Sequence, residues 1–176
     1  MARINIGKLL AWKNRRQQLR ASLLKQAKKE KSIIFGARSI NKQIAGPLRR
    51  PTEDFDILAK KPLKSARKTE KNFDRIVGSD QYYVKSAIHK GTWKVMHKGR
   101  DLKKGTKDDV GVVDYSGIPS PQPPTKKIGG IKYRSITQEA KAKKKSLADP
   151  AFKFRHKKDR GDLNRIKISK RLKINK

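Results

Sequence analysis

The sequence predicts an α/β (α+β) domain, a small mixed β-sheet with helices mainly on one face. Three observations carry this expectation. Short apolar runs such as Ser32–Phe35 and Val110–Tyr115 have the length and branched composition of buried strands. Longer stretches repeat apolar residues at helical spacing, and Pro and Gly punctuate the junctions between them. The order strand, helix, strand, helix, strands, helices belongs to layered α/β architectures.

Residues 1–31 read as a basic amphipathic helix. Ile6, Leu9, Leu10, Leu23 and Leu24 fall roughly at helical spacing, with Leu19 nearby. Ten Lys/Arg against one Glu leave this segment a net of nine positive charges. Such a helix either packs on the domain with a solvated outer face or lies along phosphates, and the total charge of the chain favours phosphates. A core follows over 32–116. Ser32–Phe35 forms a strand ended by Gly36, and residues 37–45 form a short helix with Ala37, Ile40 and Ile44 on one side, stopped by Gly46-Pro47. The next strand is Asp54–Leu58. Pro62 then opens a helix with a stripe of Leu63, Ala66, Phe73, Ile76 and Val77, closed by Gly78. Strands are expected within 82–88 and 92–97, then a basic turn region marked by Gly99 and Gly105, then the strand Val110–Tyr115.

Residues 117–131 read as a linker, because the stretch 117–130 holds four of the eight prolines and three glycines. A C-terminal helical segment is expected over 132–168. Ser135-x-x-Gln138 has the form of a capping box and opens a Lys-rich helix to about Leu147, and a last helix spans about His156–Ile168. Residues 169–176 form a basic tail. From Arg165 onward the chain carries six Lys/Arg and no acid, and no internal repeat is present.

The chain of 176 residues has 48 Lys/Arg against 15 Asp/Glu, a net charge of +33. A domain so charged repels itself in dilute buffer. A dense polyanion relieves this, since each neutralised phosphate also releases condensed counterions. Nucleic acid, RNA or DNA, is therefore the expected partner. No membrane is expected, because no apolar run approaches the ~20 residues that span a bilayer, and the N-terminus lacks a signal peptide's apolar core. The expected setting is intracellular, in cytoplasm or nucleoid, in keeping with the lack of cysteine, or the inside of a virus particle if the protein packages nucleic acid. Mean hydropathy is low, at −0.89, but clustering of the 34% hydrophobic residues argues against disorder. With no cysteine, disulfides and thiolate metal sites are excluded. His89, His97 and His156 lie too far apart for a zinc motif and read as surface or phosphate-facing residues.

Where acids are scarce, their positions are informative. In Asp54-Phe55-Asp56-Ile57 the two-residue period of a strand puts both carboxylates on one face and both apolar residues on the other. Asp114 ends a second strand. An Asp-x-Asp alone is commonly a surface feature paired with Lys or Arg. Three carboxylates converging at strand ends, however, repel one another unless cations bridge them. Hard oxygen ligands suit Mg²⁺, and a pair of Mg²⁺ ions suits in-line phosphoryl transfer.

The stretch IIFGARSINKQIAGPLRRPTEDFDIL resembles the nucleotidyltransferase superfamily, in its DNA polymerase beta-like and kanamycin nucleotidyltransferase-like branches. There a strand leads to a Gly-Gly or Gly-Ser turn opening a helix, and an Asp-x-Asp strand follows. Gly36 matches the turn, Arg50–Ile57 the carboxylate strand and Asp114 the third acid. Arg155-x-x-Lys158-Asp159-x-x-Asp162-Leu163 resembles the family's later helical segment. The likeness covers residues 32–60 and 110–166. It implies a nucleotidyltransferase-like fold in which Asp54, Asp56 and Asp114 are the catalytic, metal-holding acids. Asp114 would either activate the attacking hydroxyl or complete a metal site. It further implies that Gly36 and Ser39 meet nucleotide phosphates at a helix N-terminus. Arg38 and Lys158 would contact phosphates or, equally, pair with Asp159 or Asp162. The second turn position is Ala37, which lacks the hydroxyl of the Gly-Ser form.

Two functions are thus expected from the sequence. One is Mg²⁺-dependent transfer of a nucleotide from an NTP to a nucleic-acid acceptor such as a tRNA or a 3′ end. The acceptor would be held by Lys13, Arg15, Arg16 and Arg20, by Lys143, Lys144 and Lys145, and by Lys170 and Arg171. The alternative is a non-catalytic nucleic-acid-binding or packaging protein on the same scaffold, in a virion or a ribonucleoprotein.

Overall fold

The computed structural model describes residues 6–174, with side chains from residue 14 to 172. Helix α1 (Ile6–Lys29) leads into β1 (Ile33–Phe35), α2 (Gly36–Gln43), a 3-10 turn at Gly46–Leu48 and β2 (Phe55–Ala59). Then come α3 (Pro62–Val77), β3 (Tyr82–Ser86), β4 (Trp93–His97) and β5 (Val110–Gly117). The chain continues through β6 (Thr125–Ile128), β7 (Ile131–Arg134), α4 (Ile136–Ala148), a 3-10 turn at Pro150–Arg155 and α5 (His156–Ile174).

The seven strands form one mixed sheet in the order β3-β4-β5-β2-β1-β7-β6. β2 runs parallel to β5 and antiparallel to β1, and β1 runs parallel to β7. One face of the sheet carries the main core, in which Phe55, Ile57, Val95, Val113 and Tyr115 meet Leu23 of α1 and Ala66 and Phe73 of α3. Burying each large side chain contributes roughly 1.5–3 kcal/mol. The alternation of a strand sends Asp56 and Asp114 to the opposite face. A second cluster, Ile40, Ile44 and Ile166, binds α2, α4 and α5 together.

Local signals explain most boundaries. Pro62 occupies the first turn of α3, and Gly78 ends it in the left-handed conformation at φ 78°, its N–H bonded to Asp74 O. Ser135 Oγ accepts from Gln138 N at the start of α4.

Two expectations need correction. The stretch 117–131 is not a plain linker, because Thr125–Ile128 pairs antiparallel with Ile131–Arg134. Gly129 and Gly130, both at positive φ, make the two-residue turn that matches the twist of a hairpin. The supposed tail from 169 is helical as far as Ile174, with Ser169 buried and its Oγ accepting from Ala45 N.

Candidate active site

Asp56 and Asp114 are direct neighbours across the parallel β2–β5 pair, and Lys94 is the register partner of Asp114 on β4. A single row across the sheet therefore reads Lys94, Asp114, Asp56, Phe35. Asp54 lies just before β2, its Oδ1 accepting from Thr52 Oγ1 at 2.7 Å. Asp114 Oδ2 sits 3.1 Å from Lys94 Nζ. Among the described residues, no hydrogen-bond or ion-pair partner meets the carboxylate of Asp56.

The electrostatics separate these acids. Burial, with Asp54, Asp114 and Glu139 close by, pushes the Asp56 carboxyl up to about 6. Burial would raise Asp54 too, but the Thr52 hydrogen bond and the charges of Lys158 and Arg38 hold it below its ordinary value.

Gly36 closes the site from above. Its φ of +68° suits glycine, and a Cβ built there would collide with Asp56 Oδ2 and lie 3.2 Å from Asp56 Cγ. The Gly36→Ala variant should lose about 2 kcal/mol from the left-handed backbone alone and displace Asp56 as well. Urea melts check this, and an alanine variant as stable as the parent would contradict the close approach.

The surroundings of the turn hold residues that sequence reasoning missed. Gly36 N donates to Glu139 Oε1 at 2.8 Å, and Glu139 is fully buried. Arg134 grips the same carboxylate with both arms, at 2.9 and 2.6 Å, while stacking on the Phe35 ring. The one acid in α4, amid its lysines, was the available signal. Lys94 was likewise unmarked in the sequence.

Several expected contacts are corrected by these neighbours. Ser39 does not face a phosphate: it is fully buried, and its Oγ donates to Arg134 O at 2.6 Å. The amide of Gly36 is taken by Glu139. Neither Arg38 nor Lys158 pairs with Asp159 or Asp162. Those acids are buried among Lys143, Arg155, Arg50 and Arg165. Arg38 lies over the Phe55 ring and donates to the carbonyls of Asp54 and Glu53, both at 3.0 Å, fixing the approach to β2. Lys158 is exposed, with its charge felt at Asp54.

The basic residues divide in the same way. Arg15, Arg16, Arg20, Lys144, Lys145, Lys170 and Arg171 are exposed. Lys143 is not. It is 5% exposed, with Nζ 2.7 Å from Asp159 Oδ1 and 3.2 Å from Asp162 Oδ2. The side chain of Lys13 falls outside the described residues. Arg15, Arg16, Arg20 and Arg38 line a cleft of about 760 Å³ that also touches Thr52, Glu53, Phe55, Phe73 and Val113, on the α3 side of the sheet, and none of the three acids lines it.

Two solved structures share this fold. The Megavirus polyadenylate synthase superposes with a TM-score of 0.66 at 13% identity, over 94% of this chain and 36% of the synthase. The fold is nucleotidyltransferase-like. JHP933 from Helicobacter pylori gives a TM-score of 0.53 at 16% identity, over 84% of this chain and 62% of its own. The chain spans about a third of the viral synthase and about three-fifths of the bacterial protein. No protein-family model and no curated protein matches its sequence.

The three acids offer only hard oxygen donors, and the charge of Lys143 is felt at Asp56 without pairing with it, so their chemistry fits a divalent cation. They do not yet close on one point. Among the described residues, no group of three or more His, Asp or Glu is gathered to hold a metal ion. No helix among the described residues is long and apolar enough to cross a membrane.

Proposed function

We propose that this chain transfers a nucleotide from an NTP to the hydroxyl of a nucleic-acid acceptor, in a Mg²⁺-dependent reaction. One observation carries the reading: a half-buried, unpartnered Asp56, flanked by Asp54 and Asp114 and pressed against a turn where a side chain would collide with it. A carboxylate held so unfavourably is a cost that a site for cations would offset.

Asp54, Asp56 and Asp114 would hold the metal, two ions in the full arrangement. Bound there, Mg²⁺ would stabilise the entering and leaving oxygens of the transferred phosphoryl group. The chain's own side chains do the rest. Arg38, whose charge acts on Asp54, would meet phosphates beside that acid, and Arg16 and Arg20 in the neighbouring cleft would extend the track for an acceptor. Lys158 adds charge at the same acid. Asp114 would take the proton of the attacking hydroxyl, which neutralises its carboxylate and releases Lys94 from the ion pair. Such phosphate contacts give affinity without sequence choice.

The test is incubation of the purified protein with labelled NTPs, Mg²⁺ and total RNA. Label should pass to RNA, and should be lost in Asp54→Asn and Asp114→Asn while RNA binding survives. A second reading is favoured by the Glu139 carboxylate on the Gly36 amide and by Lys94 on Asp114, which occupy positions a nucleotide or cation would need. It is a non-catalytic nucleic-acid-binding or packaging protein on this scaffold. Equal binding by parent and variants with no label transferred would establish it over the first.

Both readings require a polyanion. Affinity for nucleic acid should fall by ~10³ or more between 50 and 200 mM salt. A flat response in a filter-binding titration would remove nucleic acid as the partner.

A further inference from the structure

Helix α3 covers the face of the sheet opposite Asp56 and Asp114, and its outer surface has no part in the site described above. Lys64, Arg67, Lys71 and Arg75 recur there at steps of three and four residues, so they share one side of the helix. All four are exposed, and among the described residues none has an ion-pair partner within 4 Å. The row spans about 16 Å, with a cation roughly every 5–6 Å. Lys61 extends it at one end, and Lys68, which is shared with Glu30, flanks it. Of the two acids of α3, Asp74 accepts from the backbone of Gln81 and Tyr82, and Glu70 is half-buried, with the charge of Arg67 felt at its carboxyl.

This row borders a depression of about 840 Å³ whose other wall includes Trp93. Trp93 is half-buried, and it leans on the main core from the edge of β4. Cations along a backbone track beside an aromatic ring are what an unpaired strand needs, because phosphates meet the cations while a base stacks on the ring. A duplex keeps its bases in the stack and cannot use the indole.

We infer that the outer face of α3, with Trp93, is a second nucleic-acid surface that takes single-stranded polynucleotide. The sheet and the helix separate it from the carboxylates, so it engages a different stretch of the strand from the one at the Asp56 site. It serves to retain the polymer whether or not transfer occurs there, and it stands independently of the reaction proposed above.

The test uses the full chain as the triple variant Lys64→Glu, Arg67→Glu, Lys71→Glu, with a 30-nucleotide oligo(U) as probe. Fluorescence anisotropy should show affinity reduced about tenfold or more, and the log–log salt slope shallower by about 2. Thermal unfolding should be unchanged, since all three side chains are exposed. In a Trp12→Phe background Trp93 is the remaining tryptophan, and oligo(U) should quench it whereas a duplex of equal length should not. Unchanged affinity and slope in the triple variant would overturn the inference. So would an unquenched Trp93, or a variant that binds oligo(U) normally and loses only anionic lipid vesicles. Loss of label transfer in Asp54→Asn with oligo(U) binding intact would count for this surface and leave it separate from the active site.

Discussion

Asp56→Asn should abolish nucleotide transfer, by about 10³-fold or more, and at the same time make the protein more stable. The activity loss follows from removing the central acid of a row whose neighbours are each held by another group. The stability gain follows from its ionisation. A carboxyl shifted from 3.8 to about 6 by burial and three nearby acids is harder to ionise folded than unfolded. Ionisation therefore opposes folding. The penalty grows as pH rises from about 4 through 6, and at neutral pH it is on the order of 3 kcal/mol. The amide variant escapes it. Urea melts should show Asp56→Asn ahead of the parent at pH 7, with the two converging below about pH 4, where both side chains are neutral. Added Mg²⁺ should raise the melting temperature of the parent and leave the variant where it was. A variant less stable than the parent at pH 7 would mean that Asp56 has a stabilising partner after all.

Lys143→Met should be the most damaging change outside the sheet. Its ammonium lies between Asp159 and Asp162, both buried, and removing it strands two carboxylates beside Arg155, Arg50 and Arg165 alone. Breaking a buried pair by deleting one partner costs about 3–5 kcal/mol. Both acids are held below their ordinary values by Lys143 and the arginines, against the opposing effect of burial. Their contribution is thus present at neutral pH and is lost as pH falls below about 4. The gap between Lys143→Met and parent should accordingly be widest near pH 7 and narrow in acid. A variant that kept its stability and lost RNA affinity instead would return Lys143 to the surface role that its Lys-rich neighbourhood suggests.

Lys143 also shows where sequence reading stops short. In the run from 141 to 145 all the lysines look alike, yet Ile136, Glu139, Ala140 and Lys143 fall at helical spacing on one side. That stripe contains an acid and a lysine because its partners across the second core are Arg134, Asp159 and Asp162, contributed by other elements. Nothing local announces them. The carboxylate strand was legible for the opposite reason: in Asp-Phe-Asp-Ile the pattern itself divides polar from apolar, and the period of two settles the faces. The hairpin at Gly129-Gly130 was hidden by the prolines before it, which drew attention to chain breaking and away from the glycine pair that pins two strands together. The Glu139 contact to Gly36 joins residues 103 apart, a distance no periodicity spans.

The turn at Gly36 and the acid beneath it occupy a single volume. With this backbone, a methyl group at 36 and a carboxylate reaching up from 56 exclude each other, so the two positions are free to vary only together. In any relative of this chain, a side chain at the turn is a mark that the acid below has already moved or been lost. One residue at the start of α2 then serves as a gauge of whether the carboxylate at 56 keeps its place.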